Sequence, residues 1–324
     1  MSWRKIVFVL AAVAGAILAL ARLLGRREKV NWRDVERSGQ LAEVDGIGVH
    51  YVERGSGTPV VLIHGFGGHT YSYRYLLPEL AKDHRVVALD LKGFGYSERV
   101  ARSDYTMAAQ AAVVLGLMNA LGIDKAALVG HSMGGAVAMR VASTCPERVD
   151  RLALVASASG DKVPMPPARL IRPFLPLFAH LLGGWLMRRS VYDPSIVTDE
   201  MREAYRRPMT IKGSMNGLNQ MLRDARRDTP IDYAAITQPT LLLWGSHERV
   251  LPSWMLPRLR DRLPHAELVT VDQAGHLLLE ERPEECNAAI RRFLGGGLEA
   301  AAREGKAAPA GAVRSGVDSG QSTS

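Results

Sequence analysis

The residues best suited to chemistry in this chain begin with a serine set between glycines, Gly130-His131-Ser132-Met133-Gly134. It lies where the apolar run Ala126-Ala127-Leu128-Val129 gives way to small residues from Gly135 onward. This pattern predicts a strand, a sharp turn and a helix. A G-x-S-x-G turn presents the serine Oγ while its glycines let strand and helix approach closely. Ser132 is therefore the candidate nucleophile. A serine hydroxyl reacts poorly at its own pKa, so it needs a base within hydrogen-bond reach and a third group to orient that base. His276 follows the strand-like Leu268-Val269-Thr270-Val271 through Asp272-Gln273-Ala274-Gly275 and is the candidate base. Glu248 follows Thr240-Leu241-Leu242-Leu243-Trp244 and is the acid best placed to orient it. Acyl transfer also develops an oxyanion, which preorganised backbone amides stabilise. His64-Gly65-Phe66-Gly67-Gly68 comes directly after Pro59-Val60-Val61-Leu62-Ile63 and supplies such a loop. The expected donors are the Phe66 and Met133 N–H groups.

All of these residues follow buried-strand patterns, and those strands alternate with helical segments. That rhythm predicts a mostly parallel sheet with helices on both faces, which gathers functional loops at the carboxyl ends of its strands. With 324 residues, 47% of them hydrophobic, the chain can bury one sizeable core. From Asp161 to Asp232 the strand rhythm stops, and prolines 164, 166, 167, 173 and 176 punctuate a helical stretch. Its apolar residues include Leu170, Leu175, Leu181, Trp185 and Leu186. This reads as a cap inserted over the site. Either its apolar residues line a hydrophobic pocket or they pack the cap onto the core; periodicity does not separate the two.

At this point the resemblance is plain. The HGFGG loop, the GHSMGG elbow and Asp90-Leu91-Lys92-Gly93-Phe94-Gly95-Tyr96-Ser97 after the fourth strand together resemble the α/β-hydrolase superfamily, in its esterase- and lipase-like branch. The resemblance covers roughly residues 41 to 294, and the chain order of nucleophile, acid and histidine is the family's. It implies an α/β-hydrolase core over 41–160 and 233–294, with the cap at 161–232. The family usually carries aspartate where Glu248 stands, and some relatives place the acid after the earlier strand Leu152-Ala153-Leu154-Val155. Asp161 is therefore the rival acid. The Asp90 segment is expected to be structural. The implied activity is cleavage of an ester-type bond in a small hydrophobic substrate through an acyl-enzyme. Carbon–carbon bond hydrolysis, thioester hydrolysis and cofactor-free haloperoxidation are the family alternatives, and a non-catalytic binding module is the reading from another class. A serine at the elbow excludes the aspartate-nucleophile route of related dehalogenases and epoxide hydrolases.

Further features bound the partners. Ile6 to Leu20 carries no charge, and a basic cluster of Arg22, Arg26, Arg27 and Lys29 follows. Residues 1–30 are expected to form a single membrane anchor; a signal peptide cleaved at Ala19-Leu20-Ala21, with export, is the alternative. The net charge of +8 is spread over amphipathic segments without nucleic-acid motifs, so no nucleic-acid partner is expected. Cys145 and Cys286 form no disulfide framework, and no spacing suits a metal or cofactor. His64 and His131 are expected to support loop geometry, and His50, His69, His84, His180 and His265 to be structural or surface groups. His247, beside Glu248, lacks the post-strand setting of His276. The Gly-, Ala- and Ser-rich stretch 295–324 reads as a disordered tail.

Overall fold

The computed structural model describes residues 3–162 and 167–296. Residues 163–166 of the expected cap and 297–324 of the expected tail lie outside the described residues. In chain order the elements are α1 (Trp3–Gly25), β1 (Gln40–Val44), β2 (Ile47–Arg54), β3 (Thr58–Ile63), α2 (Leu76–Leu80), β4 (His84–Leu89) and α3 (Met107–Ala120). These lead to β5 (Ala126–His131), α4 (Met133–Thr144) and β6 (Val149–Val155). The helical stretch then contributes α5 (Ala168–Ile171), α6 (Leu175–Leu177), a π-turn over Phe178–Leu182, α7 (Gly183–Ser190), α8 (Asp199–Arg206) and α9 (Ser214–Asp224). The core resumes with β7 (Thr240–Gly245), α10 (Met255–Arg262), β8 (Glu267–Val271), α11 (Leu278–Glu281) and α12 (Pro283–Leu294).

The strands form one eight-stranded sheet in the order β1-β2-β4-β3-β5-β6-β7-β8. β1 and β2 pair antiparallel with each other, β2 pairs antiparallel with β4, and the remaining pairings are parallel. The central strands read as unbroken apolar runs because both their faces are covered. Alternate residues divide between two cores. Val61, Ile63, Leu128, Leu154 and Leu242 pack on one face with α3, α4 and α10. Val60, Leu62, Val129, Val155 and Leu243 pack on the other with α2, α11 and α12. Ser132, Glu248 and His276 all emerge where β5, β7 and β8 end, as crossover topology requires.

Cys286 is buried in α12, whereas Cys145 falls just past the end of α4 and is partly exposed.

The N-terminal helix is not part of either core. Its last turns bury Ala21 and Leu24, while Trp3, Phe8, Leu20 and Leu23 stay exposed. Among the described residues no single helix is long and apolar enough to cross a membrane; the stretch Gly15–Gly25 is apolar but short. The segment after α1 is stitched to the cap. Lys29 and Val30 amides donate to Thr210 O at 2.9 and 3.2 Å, and Lys212 N donates to Val30 O at 2.9 Å.

Candidate active site

β5 ends in His131, and the next residue, Ser132, takes φ 54° and ψ −118°. A positive φ is uncommon outside glycine and is held here by its surroundings. Ser132 N donates to Val155 O at 3.0 Å, and Ser132 O accepts from Ala158 N at 2.9 Å and Gly135 N at 3.0 Å. The flanking glycines have steric reasons. A Cβ on Gly130 would stand 2.6 Å from Gly135 Cα, and one on Gly134 would stand 2.6 Å from His64 O. Strand and helix therefore meet backbone to backbone, and the Ser132 side chain projects from the apex.

The glycine-rich loop after β3 reaches this apex. A Cβ on Gly65 would lie 2.9 Å from Ser132 Cβ and 3.1 Å from His131 Nδ1, so the loop backbone runs alongside Ser132. The loop is held by His64, which is fully buried; its Nδ1 meets Gly65 O at 2.7 Å and its Nε2 accepts from Leu91 N at 3.0 Å. Burial pushes the His64 pKa down, keeping the ring neutral as that acceptor role demands. Phe66 N donates in none of the loop and turn hydrogen bonds among the described residues. Met133, the first residue of α4, has no intrahelical acceptor for its N–H, and the positive end of the helix dipole lies beside it.

His276 and Glu248 come together from the ends of β8 and β7. His276 Nδ1 lies 2.6 Å from Glu248 Oε2, and both side chains are nearly buried. The other carboxylate oxygen accepts from Val250 N at 2.6 Å and Leu251 N at 3.0 Å. Burial alone would raise the Glu248 pKa, but the His276 contact and those two amides outweigh it and hold the carboxyl below its ordinary range. An ionised partner at Nδ1 fixes the tautomer that leaves the lone pair of the neutral ring on Nε2. His276 N donates to Ser190 O at 2.7 Å, and His276 O lies 2.9 Å from His131 Nε2. These contacts join the His276 loop to the elbow on one side and to the cap on the other. No hydrogen bond between Ser132 Oγ and His276 Nε2 is made, which is common in unliganded sites.

Asp161 is engaged elsewhere. Its oxygens accept from Arg262 Nη1 at 2.9 and 3.0 Å and from Ser159 Oγ at 2.8 Å, and these partners lower its pKa against the effect of burial. His247 packs at a tilt of 57° against the Tyr192 ring and bonds Ser246 Oγ. Burial depresses His131 to about 3, so it is a neutral strut.

Two buried clusters join partners that sequence reasoning does not pair. Asp90 accepts from Thr70 N and Tyr96 N, each at 2.7 Å, and lies 2.8 Å from His50 Nδ1, so His50 is a buried structural group bonded to Asp90. Glu280, buried below the cap, accepts from Arg74 and from Tyr205 of α8, and the Tyr205 hydroxyl also meets Ser72 Oγ at 2.9 Å. His69, buried and depressed to about 4, adds a contact to Ala204 O at 3.2 Å. Cap and core are thereby latched next to the glycine-rich loop. No local spacing signals either cluster, since the partners lie 40 and 75 positions apart.

A strand–elbow–helix, a glycine loop packed on it and a paired carboxylate and histidine beyond later strands come together on one mostly parallel sheet, the arrangement of the α/β-hydrolase fold. The family model for the alpha/beta hydrolase family matches residues 60–289, and the chain belongs to that family. It is 32% identical over 263 residues to the uncharacterized hydrolase YugF of Bacillus subtilis (strain 168), covering 78% of this chain and 96% of that one. Identity to the 2-hydroxymuconate semialdehyde hydrolase of Pseudomonas sp. (strain CF600) is 33% over 243 residues, 71% of this chain and 84% of that one. Among solved structures it resembles a membrane phospholipase A with a TM-score of 0.68 and 27% identity, over 90% of this chain and 97% of that one. The protein is thus a hydrolase of the α/β-hydrolase fold.

Proposed function

We propose that this hydrolase cleaves an ester-type bond in a hydrophobic substrate through Ser132, His276 and Glu248. The observation that carries the reading is the 2.6 Å pair between His276 Nδ1 and Glu248, set beyond an elbow that holds Ser132 at positive φ against Gly65. His276 Nε2 takes the Ser132 proton as Oγ attacks the carbonyl carbon, and Glu248 stabilises the imidazolium that forms. The Phe66 and Met133 amides receive the oxyanion; each such donor is worth about 3 kcal/mol of barrier. Collapse expels the alcohol, which takes its proton from His276. Water activated by the same ring then releases the acid from the acyl-enzyme.

Support for a lipid-like ester comes from the cap, where Leu170, Leu181, Trp185 and Leu186 are exposed, and from the exposed apolar residues of α1. An anchor role for α1 at a membrane belongs to the same proposal, and the likeness to a membrane phospholipase A supports it because that match takes in 90% of this chain. The test is fluorophosphonate labelling of the full chain beside Ser132→Ala, followed by a series of esters of increasing acyl length. The expected result is labelling that vanishes in Ser132→Ala, with turnover rising over the first several carbons. An unlabelled but folded parent would return the binding-module reading, and a preference for acetyl esters would remove the hydrophobic substrate. The identity to a semialdehyde hydrolase favours carbon–carbon bond cleavage as a second reading; labelling without turnover of any ester in the series would bring it forward.

A further inference from the structure

Beside the His276–Glu248 pair, but lined by neither Ser132 nor the glycine-rich loop, a cavity of about 550 Å³ opens between the last turn of α7 and the loop after β7. Its wall is continuous with the pair: Ser190 O receives the His276 amide, and Val250 N donates to Glu248. Three arginines line it, Arg188, Arg189 and Arg249, and its described lining contains no acid. Arg189 stacks on Trp185 at 5.1 Å from the ring centroid, and Arg249 has no ion-pair partner among the described residues. The rim is apolar and exposed. Trp185, Leu186, Tyr192 and Val250 are 53, 43, 39 and 49% exposed.

Uncompensated guanidinium groups call for an anion, and their planar donor forks suit phosphate oxygens. A soluble anion would satisfy the charge but would leave the rim in water. Indole and phenol rings mixed with arginine match the layer where a bilayer's polar headgroups meet its acyl chains. Large exposed apolar patches with a charged border mark interaction surfaces. We propose that this cavity docks the headgroup of a net-negative glycerophospholipid at a bilayer surface, with Trp185, Leu186, Tyr192 and Val250 entering the interfacial layer. The site is separate from the nucleophile, and the inference does not depend on which bond Ser132 cleaves.

The test uses the full chain reconstituted with vesicles. An environment-sensitive fluorophore is placed at Leu181→Cys in a Cys145→Ser background; this position is one turn from Trp185 and outside the cavity lining. Vesicles are phosphatidylcholine alone or phosphatidylcholine with a minor fraction of phosphatidylglycerol. The expected result is a blue shift that needs phosphatidylglycerol and weakens in Arg189→Gln/Arg249→Gln, each arginine shifting the half-saturating lipid about five-fold. Arg54→Gln/Arg260→Gln, which removes the same charge elsewhere, should leave the shift in place. Circular dichroism melts of both doubles check that they fold. Equal shifts in pure phosphatidylcholine, no effect of the cavity double, or an equal loss in the control would each overturn the proposal. So would inorganic phosphate producing the shift without vesicles, which would assign the cavity to a soluble anion.

Discussion

At the scale of single residues, the proposed acid is the test of the site. Glutamate reaches one methylene further than aspartate, and the structure accommodates it by seating the free oxygen on the Val250 and Leu251 amides. Glu248→Gln keeps the shape but presents an amide to His276, so turnover of a short ester should fall by about three to four orders of magnitude. Asp161→Asn, which loosens the Arg262 contacts, should leave turnover within a few-fold. Steady-state kinetics of the two variants separate the acids; equal losses would sink the assignment of Glu248. His50 and Asp90 give a second residue-scale expectation, one of stability. The Asp90 pKa is held below its ordinary 3.8 by His50, against burial, so its contribution is present above that value and lost as pH falls through the folded one. The His50 pKa is raised above 6.5, since the Asp90 hydrogen bond and charge outweigh burial; its contribution is complete below 6.5 and lost as pH rises through the folded value. His50→Gln should therefore cost about 3 kcal/mol where the pair is charged, between those limits, and less above them. Thermal melts of parent and variant across pH read this directly, and a pH-independent gap would show that the pair is not ionised.

Among the elements, those bearing the proposed site are the ones the chain announces. Strands β3, β5 and β7 carry continuous apolar runs because both faces are buried, and each run ends at residues proposed for the site, so period and position were legible together. Gly130 and Gly134 were legible for a related reason: any side chain there would meet backbone. The latch that joins cap to core was not. Tyr205 and Glu280 come from helices far apart in sequence, and nothing in the local pattern of α8 distinguishes a tyrosine aimed at a buried carboxylate from one on a surface. Burial raises the Glu280 pKa despite Arg74, which marks the Tyr205 hydroxyl as a needed partner. Tyr205→Phe removes that donor, and loss of a hydrogen bond to a buried acid costs about 1–3 kcal/mol. Hydrogen exchange should report it as faster opening of α8 while the amides of β5 and β6 keep their protection. Uniform acceleration through the whole molecule would instead mean that cap and core unfold as one unit.

For the molecule as a whole, the N-terminal segment is the part whose sequence pattern said least about its place. A charge-free run predicted an anchor, but no composition argument could show that the residues after it would be built into the cap. Glu28 makes the join. Its carboxylate accepts from Gly213 N at 3.1 Å and from Met215 N, the position and chemistry of an N-terminal cap for α9 supplied from outside the helix. A negative group there also meets the positive end of the helix dipole. Val30 continues the contact by bridging to Ile211. Whatever holds α1 therefore also orients the cap, and the cap's Ser190 carbonyl in turn holds the His276 amide. Glu28→Ala should cost about 1 kcal/mol, the usual worth of a cap. The loss should be local: amides of Gly213 to Gly217 exchange faster and protease sites open between residues 26 and 36, while the sheet is unaffected. Glu28→Gln, which keeps one acceptor oxygen, should recover part of the protection. If Glu28→Ala leaves those amides unchanged, the segment rests on the cap without being tied to it, and truncation anywhere before β1 should be tolerated. If the amides open as expected, truncation after Gly25 should preserve the cap and truncation after Val30 should loosen it. That contrast makes the join between the segment after α1 and the cap directly measurable.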